Sequence, residues 1–442
     1  MYGAMESEYL GIIHGPPGTG KTTTLVALVT ALIRSGERVL VTAPSNNAVD
    51  LLALNLSLQG ISVLRIGNVT RIGESIAHLC LEEKVRMHKD WQHIKQVKIE
   101  AEAAKKEAAR FKRKFGPQQK RDRNAFRKEA RELSKWASEL ERRLVTQIMK
   151  STTVFCTTLI GCAHPNLDGW LFDTVIIDEG AQALEPESWV AMSRAKRTII
   201  AGDHQQLPPT VKSTQAIKLG LKETIMDRMT SVINTSYLLD TQYRMNKAIF
   251  AFSNKHFYAD QLKSADFVAN RALHGDQEII TFIDTSGCGF EEERVPGERS
   301  LSNSGEYLIL REHLLTLKSR LEETTSIGII SPYARQVTYI RNEIGKDEWL
   351  KTLNIRVNSI DGFQGQEEDV IYISLVRSNP DGEIGFLKDY RRLNVAMTRA
   401  RYKLVLIGDM STLGHDALYL DLADHIEKNG VYKSAWEYMY QA

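Results

Sequence analysis

Cysteine is scarce in this chain: four among 442 residues, Cys80, Cys156, Cys162 and Cys288, with no C-x-x-C pair. That argues against a disulfide framework or a zinc ribbon, and for buried free thiols in a reducing compartment. Long apolar runs are missing as well; none approaches the roughly 18 residues of a membrane span. The N-terminus has no basic region followed by an apolar stretch and a cleavage site, so secretion is not expected. A cytoplasmic protein is the expectation, or a nuclear one in a eukaryote. No internal repeat is visible. Net charge is small too, at +2, but the figure hides an asymmetry. Residues 82–150 hold 21 Lys/Arg against 11 Asp/Glu, which leaves the rest of the chain about eight charges negative. A basic module on a mildly acidic body hints at a polyanionic partner.

What is present is the composition of a soluble globular protein, 43% apolar and 25% charged, with length for two or three domains. From residue 9 to about 79, apolar strands alternate with amphipathic helices, the pattern of a parallel α/β domain. Then the texture changes. Residues 92–114 and 120–149, rich in Ala, Glu, Lys, Arg and Leu, read as an antiparallel helix pair broken at Phe115-Gly116-Pro117-Gln118. The tip is dense in cations: Arg110, Lys112, Arg113, Lys114, Lys120, Arg121 and Arg123. Strands resume at 153–156 and 174–177, so the basic pair is an insertion. Past a boundary near 231–239 a second α/β series follows, with strands near 279–283, 326–330, 370–375 and 403–407. Residues 286–304, rich in Gly, Glu and Ser, read as a mobile surface loop. Asn303-Ser304-Gly305-Glu306 reads as a helix cap.

The most specific segment is Gly15-Pro16-Pro17-Gly18-Thr19-Gly20-Lys21-Thr22. It fills G-x-x-x-x-G-K-[ST] completely, between an apolar strand at 9–14 and a helix at 23–34. Glycines let backbone N–H groups turn toward a phosphate, and the helix N-terminus adds partial positive charge. Lys21 can reach β- and γ-phosphates, and the Thr22 hydroxyl can hold Mg²⁺. A second element is the strand Val175-Ile176-Ile177 ending in Asp178-Glu179. Beside a phosphate loop, the first acid would hold Mg²⁺ and the second would orient and deprotonate water. Alone, such a pair is a weak signal, since acidic pairs after strands are common and as often a solvated strand end.

Gly202-Asp203-His204-Gln205-Gln206-Leu207-Pro208-Pro209-Thr210 follows another apolar strand, and its prolines stiffen the loop. Gln206, both donor and acceptor, suits sensing a γ-phosphate or its water. In the second half, Gln242-Tyr243-Arg244-Met245 offers a ring for stacking and a guanidinium. Gly362-Phe363-Gln364-Gly365-Gln366-Glu367 and Asn394-Val395-Ala396-Met397-Thr398-Arg399-Ala400-Arg401 each precede a strand. A lone arginine is more often a surface charge; bidentate phosphate recognition is the functional alternative.

In this order the motifs resemble superfamily 1 helicases, in the group of the immunoglobulin mu-binding protein helicase and the nonsense-mediated-decay helicase. The resemblance runs from Ile12 to about Asp409 and includes Ala43–Asp50 (APSNNAVD), Asp178–Gln182 (DEGAQ), GDHQQLPPT, QYRM, residues 359–365 and NVAMTRAR. It implies two tandem RecA-like parallel-sheet domains, 1–235 and 236–442, with the helical hairpin 82–150 inserted in the first and ATP between them. It also implies Lys21, Thr22, Asp178, Glu179 and Gln206 on one face, Arg244 and Arg399 as arginine fingers, Tyr243 on adenine, and Glu367 near ribose or Mg²⁺. Thr23 completes the nucleotide-binding set with Gly15 to Thr22. By the same resemblance, Pro44, Ser45, Asn46, Thr157, Thr158, Ser331, Pro332 and Tyr333 grip a nucleic-acid backbone, with Lys112, Arg113, Lys114 and Arg121 adding a salt-sensitive contact. The partner would be single-stranded RNA or DNA, the protein a monomer, and ATP hydrolysis would drive 5′–3′ stepping. A clamp that binds and releases without travelling, or a phosphate-loop ATPase acting on a protein, are the alternatives. The group's upstream glutamine segment and β-barrel have no counterpart before residue 9, which reads as a truncated or minimal motor. Gly180, where relatives often carry Ala or Cys, reads as a minor departure.

Overall fold

A computed structural model describes residues 2–67, 72–110, 116–232, 236–298, 300–363 and 365–439. The chain forms two compact units. The first comprises Met1–Ile12, Thr22–Ala201 and Gln215–Thr235, the second Ile13–Lys21, Gly202–Thr214 and Ser236–Ala442.

Strands β1 (Leu10–His14), β2 (Val39–Ala43), β3 (Val63–Arg65), β4 (Val154–Thr158), β5 (Phe172–Ile177) and β6 (Ala195–Gly202), which belong to the first unit apart from Ile13, His14 and Gly202, run in the sheet order β3-β4-β2-β5-β6-β1. The pairings among β2 to β6 are parallel. Every residue of β2 is buried, so both faces are covered, and such a strand reads as a continuous apolar run. The helix Lys21–Arg34 buries Leu25, Leu28, Val29 and Leu32, an i, i+3, i+4, i+7 stripe along one face.

The insertion is helical as read. Trp91–Ala109 and Pro117–Ser151 pack along each other, burying Ile94, Val97, Ala101 and Ala104 on one and Ala130, Ala137 and Leu144 on the other. The second helix starts earlier than the sequence break suggested. Pro117 occupies its first turn, where a missing N–H costs nothing, and Gln119 Oε1 accepts from Gly116 N at 2.9 Å. At 35 residues the helix is about 52 Å long. Lys112, Arg113 and Lys114 lie outside the described residues; Lys120 and Arg121 are exposed. No helix among the described residues is long and apolar enough to cross a membrane.

In the second unit, β7 (Ser236–Leu238) is followed by the two-residue parallel pair β8 (Thr241–Gln242) and β9 (Lys263–Ser264). Then come β10 (Ile280–Asp284), β11 (Glu293–Arg294), β12 (Leu301–Ser302), β13 (Ser326–Ser331), β14 (Asn354–Ser359), β15 (Glu368–Ser374), β16 (Ala400–Gly408) and β17 (Val431–Ser434). Six form a parallel sheet in the order β14-β13-β15-β16-β10-β17. The α/β class with two parallel sheets is therefore the one the sequence implies.

The segment 286–304 differs from its reading as a mobile loop. β11 and β12 pair antiparallel within it, and Leu301, Ser302 and Asn303 are buried. Glu292 pins it further: its Oε2 accepts from Ser378 N at 3.2 Å and Asn379 Nδ2 at 3.1 Å, and pairs with Arg377 at 3.0 Å. The cap at Asn303 is present, its side chain accepting from Glu306 N at 3.1 Å. Glu306, however, does not reach back. It lies fully buried, accepting from Ser374 Oγ at 2.5 Å and Val376 N at 2.8 Å. Val376 has φ 72°, which a β-branched side chain rarely adopts, and Asn303 Nδ2 holds its carbonyl at 3.3 Å.

Burial pushes the Glu306 carboxyl up to about 8. Its folded pKa then exceeds the unfolded one, so its stabilisation is complete below about pH 4.5 and is lost as pH rises through about 8. Urea unfolding midpoints should fall between about pH 5 and pH 8, and Glu306→Gln should flatten that slope; an unchanged slope in the variant would show that other groups set it.

Candidate nucleotide site

The loop between β1 and the helix Lys21–Arg34 is turned by two glycines in the left-handed region, Gly18 at φ 74° and Gly20 at φ 75°. Thr19 closes the turn from inside, its hydroxyl donating to Pro16 O at 2.8 Å. Gly15 N donates to Gly202 O at 2.9 Å, which ties the loop to the segment after β6. A Cβ at Gly15 would lie 3.1 Å from the Lys21 side-chain carbons, so the absent methyl leaves room for the lysine stem to fold over the loop. Pro17 is buried, Thr22 half-buried and Thr23 exposed in the first helical turn.

Asp178 and Glu179 follow β5 in the first unit. Asp178 is buried; its N–H donates to Thr42 O at 2.8 Å and its Oδ1 accepts from Glu179 N at 2.8 Å. Glu179 sits at φ 54°, a conformation costing a non-glycine residue about 1 kcal/mol, with Gln182 Nε2 on its Oε2 at 2.6 Å. Gly180 is no minor departure. A Cβ there would fall 2.3 Å from Ile200 Cγ2, so this packing requires glycine.

In the second unit the expected arginines come together with their motif partners. Arg399 is buried, and its guanidinium donates to Val395 O at 3.0 Å, Gln366 O at 3.2 Å and Gln206 Oε1 at 3.3 Å. Arg244 pairs through Nε with Glu367 and donates through Nη1 to Thr398 O at 2.9 Å. Glu367 also takes Arg401, at 2.6 and 3.0 Å. Burial alone would raise the Glu367 carboxyl, but Arg244 and Arg401 outweigh it and hold it below the usual range. Tyr243 N donates to Gly18 O at 2.7 Å while its ring stays 49% exposed, stacked at 6.2 Å on Phe267. Gln242 is buried and shapes this turn, its Oε1 accepting from the N–H groups of Arg244 and Met245. Gln364 lies outside the described residues.

Asp203 precedes Gln206 in the same motif, and nothing in the sequence around it marks a role. It is buried and accepts from four groups: His14 Nε2 at 3.0 Å, Gln205 N at 3.0 Å, Gln206 Nε2 at 2.8 Å and Tyr258 Oη at 2.8 Å. Burial would raise its carboxyl, but the hydrogen bond and charge of His14, with Gln206 and Gln205 N, hold it below the ordinary value. His14, Asp203 and His204 bring one ligand atom each within 4.8 Å, a spacing a cation could use. The four donors on Asp203 make the arrangement a hydrogen-bonded hub. No local signal marks Tyr258; it sits at the end of the helix Lys247–Tyr258.

The residues expected to grip a nucleic-acid backbone are unevenly presented. Ser45 is exposed but caps its helix, accepting from Ala48 N at 3.2 Å, and Asn46 Oδ1 is committed to the buried Arg65 at 2.9 Å. Thr158 Oγ1 accepts from Gly161 N at 3.2 Å, while Thr157, Ser331 and Tyr333 are buried. Pro44 and Pro332 are half-buried.

A strand, a glycine-turned phosphate loop and a helix within a parallel sheet define a phosphate-loop nucleotide-binding protein. Two family models, each described as an AAA domain, match residues 1–214 and 221–411. DNA-binding protein SMUBP-2 of Mus musculus is 34% identical, over 99% of this chain and 44% of that protein. An uncharacterised ATP-dependent helicase of Methanocaldococcus jannaschii is 32% identical over 95% of this chain and 68% of its own length. ATP-dependent helicase NAM7 of Saccharomyces cerevisiae is 33% identical over 95% and 42%. The chain thus spans under half the length of the mouse and yeast proteins. It belongs to the superfamily 1 helicases, in the group that holds these relatives.

Two loop glycines separate backbone strain from steric clash. A Cβ at Gly18 would meet Arg244 Cβ at 2.7 Å, whereas at Gly20 nothing lies within 4 Å. Both substitutions to alanine should destabilise, Gly20→Ala by about 1 kcal/mol from φ alone and Gly18→Ala by more. Denaturant midpoints test the order; equal losses would mean that Arg244 moves aside at no cost.

Proposed function

We propose that this chain hydrolyses ATP to step 5′–3′ along single-stranded RNA or DNA, separating paired strands as it goes. The observation that carries the reading is the contact of Arg399 with Gln206, within one unit that also contains the phosphate loop, in a chain of helicase family. A guanidinium held on a phosphate-sensing amide is placed to neutralise charge that develops on a transferred phosphoryl group.

The roles follow from the side chains. Lys21 and the loop Gly15 to Thr23 bind the phosphates, the loop through N–H groups that lie beyond Pro17, and Tyr243 offers its exposed ring to adenine. Thr22 and Asp178 supply hard oxygen donors suited to Mg²⁺, which would spread charge away from the phosphates. Glu179, held by Gln182, orients and deprotonates water. Arg244 and Arg399 stabilise the transition state, with Glu367 holding Arg244 and Arg401 in place. Residues 1–235 and 236–442 act as the two motor domains. Pro44, Ser45, Asn46, Thr158 and Pro332 contact the strand, and Arg121 with its neighbours at the hairpin tip adds electrostatic grip. The protein works as a monomer inside the cell.

Steady-state ATPase activity should rise at least tenfold when single-stranded RNA or DNA is added, and Lys21→Ala should abolish it. A rate indifferent to both polymers would reject the nucleic-acid partner. Arg399→Ala should retain nucleotide binding while kcat falls by about 10³. An unchanged kcat would remove Arg399 from the hydrolytic step.

A further inference from the structure

Gln206 can serve hydrolysis only if its amide faces one way. An ionised carboxylate accepts and never donates, so the Asp203 oxygen at 2.8 Å must face the Gln206 NH₂ group. That leaves Gln206 Oε1 toward Arg399 Nη2, at 3.3 Å. That same Asp203 oxygen, Oδ2, is held by the Tyr258 hydroxyl at 2.8 Å. The same hydroxyl accepts from Asn394 Nδ2 at 2.9 Å, and Asn394 Nδ2 also donates to Gln205 O at 3.0 Å. A closed ring therefore runs from the segment after β6, through the helix Lys247–Tyr258, to the helix Tyr390–Met397 that leads to Arg399. Tyr258 and Asn394 are both buried, so no solvent can replace either bond cheaply.

We infer that Tyr258 and Asn394 are positioning residues for nucleotide hydrolysis, acting through Asp203 to hold the Gln206 amide oriented on Arg399. The inference rests on the function proposed above. Both act through Asp203 rather than on the substrate. Tyr258 supplies a proton donor that Asp203 needs, and Asn394 fixes which way that hydroxyl points. Burial, and then the neighbouring Asp203 charge, keep the Tyr258 hydroxyl protonated well beyond its ordinary range, so it remains a donor throughout neutral pH. Tyr258 also lies in the apolar cluster with Ile249, Phe252 and Leu393, which its ring would fill without the hydroxyl.

Tyr258→Phe keeps that ring and removes only the donor. The test is a double-mutant cycle with Gln206→Ala, following kcat and KM for ATP and the melting temperature. Alone, Tyr258→Phe should lower kcat about tenfold with KM within about twofold, the size expected for losing one hydrogen bond to a charged group. In the Gln206→Ala background the same change should cost less than about twofold, because the amide it orients is gone. Asn394→Ala should follow the same pattern and serves if Tyr258→Phe folds poorly. Equal losses of kcat in both backgrounds would overturn the inference and leave the proposed function standing. Absence of ATP turnover in the unaltered chain would overturn both.

Discussion

A carboxylate taken out of water must have its lone pairs met, and Asp203 meets this demand with donors from widely separated parts of the chain. His14 comes from the strand that enters the phosphate loop, Gln205 and Gln206 from its own loop, and Tyr258 from a helix 55 residues on. Because a buried charge cannot be left half-satisfied, each of these segments has one place to be. The site's geometry is thus set by the cost of an unmet acceptor as much as by any contact to a ligand.

The sequence disclosed what is local. The phosphate loop was legible because glycine, lysine and threonine must recur at fixed spacing for backbone amides to converge, and because an apolar strand and a helix flank it. Central strands were legible because a strand covered on both faces is a short unbroken apolar run, as β2 and β5 are. β14 and β17 were not, since each lies at an edge of its sheet and consists mostly of exposed and half-buried positions. The segment 286–304 looked unstructured because Gly and Glu dominate it; what orders it is Glu292, whose partners lie 86 and 87 residues away. The hub around Asp203 escaped for the same reason, as no window of sequence contains His14, Asp203, Tyr258 and Asn394 together. Glu306 shows a subtler limit: the capping pattern was right about Asn303, yet the glutamate's own partners are tertiary.

The basic insertion makes a different kind of argument. Its two helices bury alanines where they meet, so they approach closely and leave the long charged side chains outward. Among the described residues, most of its ion pairs are exposed i, i+3 or i, i+4 contacts worth about a few tenths of a kcal/mol, so they do little to hold the hairpin together. Its surplus of cations is therefore available to a polyanion, at little cost to the packing of the hairpin.

The order of assembly follows from which segments the second unit recruits. During synthesis, the first six strands are all present once residue 202 has emerged. The phosphate loop, although encoded first, groups with residues that arrive later, and the hub at its edge lacks Tyr258 until residue 258 and Asn394 until residue 394. β10 in turn waits for β16 and β17, more than a hundred residues downstream. A nascent chain on the ribosome therefore carries the nucleotide motif long before it carries the finished site. The motif is local in sequence, whereas the hub beside it closes only when Asn394 joins His14, Asp203 and Tyr258.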